Sequence, residues 1–106
     1  MKICEMSDGE QIDEYHRIMS GLVDCIPVVV KYGDIEKKKM MKASTNVMVL
    51  MSILRRELKV SPNECIVLII GNEKVLSGSS ILSDIYTKHK INGFLFIELL
   101  KENVFG

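Results

Sequence analysis

Two apolar runs, Ile26-Pro27-Val28-Val29-Val30 and Cys65–Ile70, constrain this chain more than any other feature. Successive side chains of a strand point to opposite faces, so a strand that is apolar throughout needs cover on both sides. Ile26, Val28 and Val30 face one way, Pro27 and Val29 the other, and both sets are apolar. The chain must therefore build a sheet with material packed on each face, and Cys65–Ile70 reads as a central strand of it. Pro27 has no N–H to donate, which confines it to a strand start or an edge.

Helical periodicity supplies the cover. Ile12, Tyr15, Ile18, Met19 and Leu22 recur at intervals of three and four, which predicts an amphipathic helix over 12–22 ended near Gly21. Asp8, Glu10, Asp13 and Glu14 place negative charge near its start, where the helix dipole favours it. Ser44, Thr45 and Asn46 are all competent caps for the strongest helix, with Val47, Leu50, Met51, Leu54 and Leu58 on its apolar side and Arg55, Arg56 and Lys59 near its end.

The turn Tyr32-Gly33-Asp34 and a following strand reaching about Ala43 predict a hairpin with Ile26 to Val30. Beyond the turn at Ser61-Pro62-Asn63 and the strand Cys65–Ile70 come a turn at Gly71-Asn72, a short strand over 73–76, and a short helix carrying Ile81, Leu82, Ile85 and Tyr86 and capped by Ser79 or Ser80. Asn92-Gly93 turns the chain into a last strand over 94–100, where Leu95, Ile97 and Leu99 alternate with Phe94, Phe96 and Glu98. At 106 residues this is one domain: an N-terminal helical extension over 1–24, a core over 25–100 and a flexible tail over 101–106. The order of elements suits an α+β fold, the β-grasp of ubiquitin-like proteins, in which a sheet wraps around one helix.

Lys+Arg and Asp+Glu balance at 14 each, so the bulk field that holds a phosphate backbone is missing and no nucleic acid is expected as a partner. No apolar run approaches the roughly 20 residues of a membrane-crossing helix. The first twenty residues are acidic and lack the apolar core of a leader peptide, so a cytoplasmic protein is expected. Cys4, Cys25 and Cys65 are odd in number, widely spaced and without a C-x-x-C pair, which predicts reduced structural thiols and neither a metal site nor a cofactor. A thiol nucleophile would need Cys25 or Cys65 beside His16 or His89, and no motif ties them; Cys65 reads as a small core side chain, and no catalytic residue is assigned.

The most unusual surface feature is Lys37-Lys38-Lys39, with Lys31 and Lys42 nearby. Lysines on a strand either attract acidic partners or anionic headgroups, or guard an exposed edge against aggregation. Met40 and Met41 follow directly, and only one of them can face a given side. A C-terminal glycine such as Gly106 can enter a narrow channel and present its carboxylate for activation.

Six segments together resemble one family, the autophagy-related ubiquitin-like modifiers of the GABA-receptor-associated and microtubule light-chain type. They are Ile26-Pro27-Val28-Val29-Val30, Glu36-Lys37-Lys38-Lys39-Met40-Met41, Ile53-Leu54-Arg55-Arg56, Asp84-Ile85-Tyr86-Thr87-Lys88-His89-Lys90, Gly93-Phe94-Leu95-Phe96 and Glu102-Asn103-Val104-Phe105-Gly106, in family order over about residues 14–106. The resemblance implies a β-grasp with an N-terminal helical extension. It also implies a terminal glycine, here Gly106, that is adenylated, passed as a thioester through activating and conjugating enzymes, and joined to phosphatidylethanolamine of the autophagosomal membrane. In many members a cysteine protease first removes residues that follow the glycine.

The family recognises receptor peptides with an aromatic residue, two spacers and an aliphatic residue, flanked by acids, which add a strand to the hairpin. Carried over by position, the resemblance assigns the aromatic pocket to Glu14, Ile18, Pro27, Val29, Lys39, Met41 and Phe94. It assigns the aliphatic pocket to Met40, Ala43, Leu50 and Ile53, and the acidic flank to Lys37 and Lys38. The chain departs from the family in several places. The first of two N-terminal helices lacks a counterpart, Lys42 and Ala43 replace an apolar residue and a proline, one residue is deleted nearby, and Cys25 and Glu57 stand at commonly basic positions. The neighbouring readings are a related modifier joined to another protein and an unconjugated β-grasp adaptor that only binds peptides.

Overall fold

The chain reverses at Gly33, whose φ of 58° lies in the left-handed region that glycine enters without steric cost, and this reversal pairs β1 (Cys25–Tyr32) with β2 (Ile35–Lys42). A computed structural model describes residues 1–71 and 74–102. Among these, β3 (Cys65–Ile70), β4 (Lys74–Val75) and β5 (Leu95–Glu102) complete one sheet in the order β2-β1-β5-β3-β4. β5 runs parallel to β1 and antiparallel to β3, while β1–β2 and β3–β4 are antiparallel. The sheet curls around α2 (Val47–Glu57), which is the β-grasp arrangement.

The capping oxygen of α2 is Asn46 Oδ1, which accepts from Val49 N at 3.0 Å. Val47, Leu50 and Leu54 are fully buried against Val28, Val30, Leu68, Leu95, Ile97 and Leu99, the inward-pointing positions of three strands. The predicted alternation in the last strand therefore holds. That strand extends through Glu102, however, because Lys101 pairs with Ile66 and Glu102 with Cys65; both residues belong to the sheet and not to a tail. β3 is an interior strand, between β5 and β4, and β5 is the middle one of the five. Helical cover of the second face is partial: Val67 and Ile69 are only half-buried, Leu100 is exposed, and Cys65 is exposed where the apolar run suggested a core thiol.

On that second face lies α1 (Asp8–Met19), which begins a turn earlier than its apolar stripe suggested. Ser7 and Glu10 form a capping box, each side chain accepting from the other's backbone N–H at 3.2 and 2.9 Å, and this fixes the start. Tyr15, Ile18 and Met19 of the stripe are half-buried, Tyr15 and Ile18 against Val29 and Phe94, but its ends differ. Ile12 and Leu22 are exposed and Gln11 is buried, because its amide donates to Ile3 O at 2.8 Å. α3 (Leu82–His89) has no side-chain cap from Ser79 or Ser80. Its first N–H groups are taken by backbone, Leu82 N donating to Thr45 O and Ser83 N to Ala43 O at 2.8 and 3.0 Å.

Candidate functional site

β2 closes one side of the sheet, with β1 as its one neighbour among the described residues. Its outward N–H and C=O groups form a template for a further strand. Register decides which side chains flank it. Pro27 lies opposite Met40 and Val29 opposite Lys38, so these four share the α1 face. Ile26 lies opposite Met41, Val28 opposite Lys39 and Val30 opposite Lys37, and these share the α2 face.

Along the α1 face runs a pocket of about 190 Å³ lined by Ile3, Ile18, Pro27, Val28, Val29, Lys38, Lys39, Met40 and Phe94. Val29 and Phe94 are 1% exposed and form its floor, while Ile18 from α1 is half-buried on its wall. The pocket thus brings together Ile18, Pro27, Val29, Lys38, Lys39, Met40 and Phe94 of the residues singled out in the sequence.

Several assignments are corrected. Met41 is buried in the α2 core beside Ile26, so Met40 and not Met41 takes its place in the pocket. Lys39 borders the pocket but sends its ammonium to an ion pair with Glu57 on α2. Lys38 takes the place on the pocket face that had been given to Lys39. The physical reason is the strand register: Pro27 pairs with Met40 and Val29 with Lys38, and successive side chains of a strand alternate between faces. Leu50 is fully buried in the α2 core and absent from the pocket lining, and Ala43 and Ile53 are half-buried against the same core. Glu14 stands outside the pocket lining and pairs with Arg17, whose guanidinium holds the carboxyl below its usual range. Gly106 lies outside the described residues.

Phe94 reaches the floor because the chain turns sharply before it. Asn92 and Gly93 have φ of 53° and 89°. A Cβ at Gly93 would lie 2.3 Å from the Tyr15 ring, so the ring packs directly on bare backbone. Tyr86 Oη donates to Gly93 O at 2.8 Å, and burial, then its neighbour Tyr15, push the Tyr86 phenol up, keeping it a donor.

Two lining residues were missed by sequence reasoning: Val28, on the core-facing side of β1, and Ile3. Ile3 sits in a 3-10 turn (Ile3–Glu5), where a two-helix family would have its first helix, and is fully buried beside Val29 and Phe94. A single apolar residue between Lys2 and Cys4 carries no periodicity, so no local signal marked it. The nearby Cys4 thiol is pushed up by burial and then by its bond to Glu36, the opposite of an activated nucleophile. What the arrangement offers is recognition: strand hydrogen bonds, an apolar pocket and an ammonium rim.

The family model described as "Autophagy protein Atg8 ubiquitin like" matches residues 10–106. The chain belongs to the Atg8 family. Autophagy-related protein 8 of Emericella nidulans is 33% identical over 101 aligned residues, covering 88% of this chain and 85% of the relative. The Coccidioides immitis protein of that name is also 33% identical, with 88% and 86% covered. A crystal structure of Trypanosoma brucei ATG8 superposes with a TM-score of 0.82 at 22% identity, covering 97% of this chain and 95% of that one. Fold and family thus agree with the resemblance read from the six sequence segments: this is an autophagy ubiquitin-like protein of the Atg8 family.

Proposed function

We propose that this Atg8-family chain is a modifier joined through Gly106 to phosphatidylethanolamine, and that its β2 edge recruits acidic aromatic-x-x-aliphatic receptor peptides to autophagosomal membranes. The observation that carries the docking half is the open edge of β2 lying beside a pocket rimmed by Lys38 and Met40. An added strand satisfies the edge, its aromatic side chain enters the pocket, and its acids meet the lysines. Conjugation is the inference from family membership. ATP adenylates the glycine carboxylate with release of pyrophosphate, an enzyme thiolate displaces AMP to form a thioester, and the lipid amine displaces the thiolate to form an amide. The modifier performs none of these steps itself. The two acyl chains of the lipid then supply the anchor.

Reconstitution with activating and conjugating enzymes, ATP and phosphatidylethanolamine liposomes, read by mass, tests the conjugation. A mass increase equal to the lipid minus water, lost when Gly106 is deleted, is expected. Transfer to a protein amine instead would favour the related protein-linked modifier, and no transfer with retained peptide binding would leave an unconjugated adaptor.

A further inference from the structure

Strand alternation sorts the lysines of the β2 edge onto two faces. Lys38 lies opposite Val29 and Lys42 opposite Cys25, on the α1 face with the pocket, whereas Lys37 and Lys39 lie opposite Val30 and Val28 on the α2 face. Exposure follows the same division: Lys38 and Lys42 are exposed, Lys37 and Lys39 half-buried. Lys39 is tied to Glu57, and Lys38 stands within electrostatic reach of the Glu14 and Glu36 carboxylates. Lys42 makes no ion pair among the described residues. It ends β2 at the mouth of an open cleft whose one carboxylate is Asp24. Asp24 precedes β1, so it stands a strand spacing of about 4.8 Å further from the docking edge than Lys42 does.

In a strand added beside β2, every second side chain shares the α1 face. The aromatic residue enters the pocket bordered by Lys38 and Met40, on that face. The aliphatic residue three positions on falls on the opposite face, where Ala43, just beyond the end of β2, is half-buried against the core. The peptide therefore runs in the direction of β2, and the residues after its ring pass Lys42. We propose that Lys42 is a specificity-determining residue of the docking edge, which reads a carboxylate on the pocket face at the second or fourth position after the ring. This rests on the docking reading above and deepens it. Lys42 follows Met40 by two residues and Lys38 by four, about 7 and 13 Å along a strand. A ring level with Met40 brings the second following residue beside it, and a ring level with Lys38 brings the fourth; both share its face. The first and fifth following residues face the α2 side, where the Lys39 ammonium is already paired with Glu57.

The test uses the full chain and two fluorescein-labelled synthetic peptides of identical composition and net charge. Both carry the aromatic residue, the aliphatic residue three positions on and the same acids before the ring. One has Glu at the second and fourth positions after the ring and Gln at the first and fifth; the other exchanges Glu and Gln. Anisotropy titrations of the parent protein at low salt should give a dissociation constant about threefold lower for the first peptide, the scale of an exposed ion pair. Added salt should shrink the difference. Lys42→Gln should bring the two constants together by weakening the first peptide, and Lys42→Glu should invert their order. Asp24→Asn removes the competing carboxylate and keeps a residue suited to the left-handed φ of 59°, so it should widen the ratio. Lys31→Gln removes the same charge as Lys42→Gln near the other end of β1, opposite Glu36, and should leave the ratio unchanged. Equal binding of the two peptides by the parent protein, tighter binding of the second, or a ratio unmoved by Lys42→Gln would overturn the assignment. So would a ratio narrowed by Asp24→Asn, or moved as much by Lys31→Gln as by Lys42→Gln. Binding of neither peptide by the parent protein would overturn the docking reading itself, a result distinct from the others.

Discussion

Met40 and Met41 are adjacent in the chain, yet Met40 lies opposite Pro27 at the pocket, 37% exposed, while Met41 lies opposite Ile26 under α2, 7% exposed. The same substitution at the two positions therefore has different consequences. Met40→Asp should weaken an aromatic-x-x-aliphatic peptide by at least about 1 kcal/mol, the loss of a useful interface contact, with little change in urea midpoint. Met41→Asp should lower unfolding free energy by several kcal/mol, on the order of the cost of an unpaired buried charge. Peptide titration and urea denaturation of both variants check the pair. A stable Met41→Asp protein with impaired binding would restore the assignment made from sequence alone.

The ion pair between Lys39 and Glu57 bears on charge at the docking edge. Their side chains are 24% and 29% exposed, so solvent screens the pair only in part. While paired, Lys39 is a weaker attractor for an acidic peptide flank. Glu57→Gln should therefore tighten binding of an acidic-flanked peptide by about threefold at low salt, within the range of ~0.2–1 kcal/mol typical of exposed pairs. The gain should shrink as ionic strength rises, because added salt shortens the Debye length. A gain independent of salt would contradict this account.

Gly93 combines a φ of 89° with a Tyr15 ring where its Cβ would stand. Gly93→Ala meets both obstacles and should destabilise the fold by roughly 2–4 kcal/mol, above the ~1 kcal/mol of a conformational cost alone. Pairing it with Tyr15→Ala removes the clash and leaves the dihedral strain. In a double-mutant cycle by urea denaturation, Gly93→Ala should therefore cost less in the Tyr15→Ala background. Strict additivity would show that the ring moves aside freely.

How much of this was legible in the sequence follows from where each signal resides. α2 and β3 were legible because each presents a buried face to the core, so apolar residues recur at helical spacing in α2 and at every second position in β3. The faces of β2 were not: with lysines on both sides of the strand, its side chains do not distinguish inside from outside, and only pairing with β1 settles the register. In α1 the face carrying Tyr15 and Ile18 was legible but its first turn was not, because a buried glutamine, Gln11, satisfied by Ile3 and Asn92, takes the inward position that hydropathy assigns to Ile12. Ile3 itself was invisible, since its seat is a carboxylate at Glu36, far along the chain. The family resemblance pointed to the β2 edge proposed for docking, and the strand register then decides which residues of that edge face the pocket.

That carboxylate also makes the N-terminal turn sensitive to acid. Burial raises the affinity of Glu36 for a proton, but the N–H bonds from Cys4 and Ile3, with the Cys4 thiol and the Lys38 charge, outweigh it and hold the group below its ordinary value of 4.5. A carboxylate whose pKa is lowered on folding contributes stability that is fully present above the unfolded value and is lost as pH falls through the folded one. The turn should accordingly be seated at neutral pH and released somewhat below pH 4.5. A protonated acid keeps one acceptor oxygen and cannot serve both N–H groups well, so Ile3 should loosen before the sheet does. Amide-exchange protection factors for Ile3 and Cys4, followed by NMR from neutral pH downward, should fall in that window while those of β5 persist. Glu36→Gln should show the low protection already at neutral pH and no further acid-dependent loss there. Protection that stays constant through the window in the parent protein would mean that the turn is held by the packing of Ile3 alone.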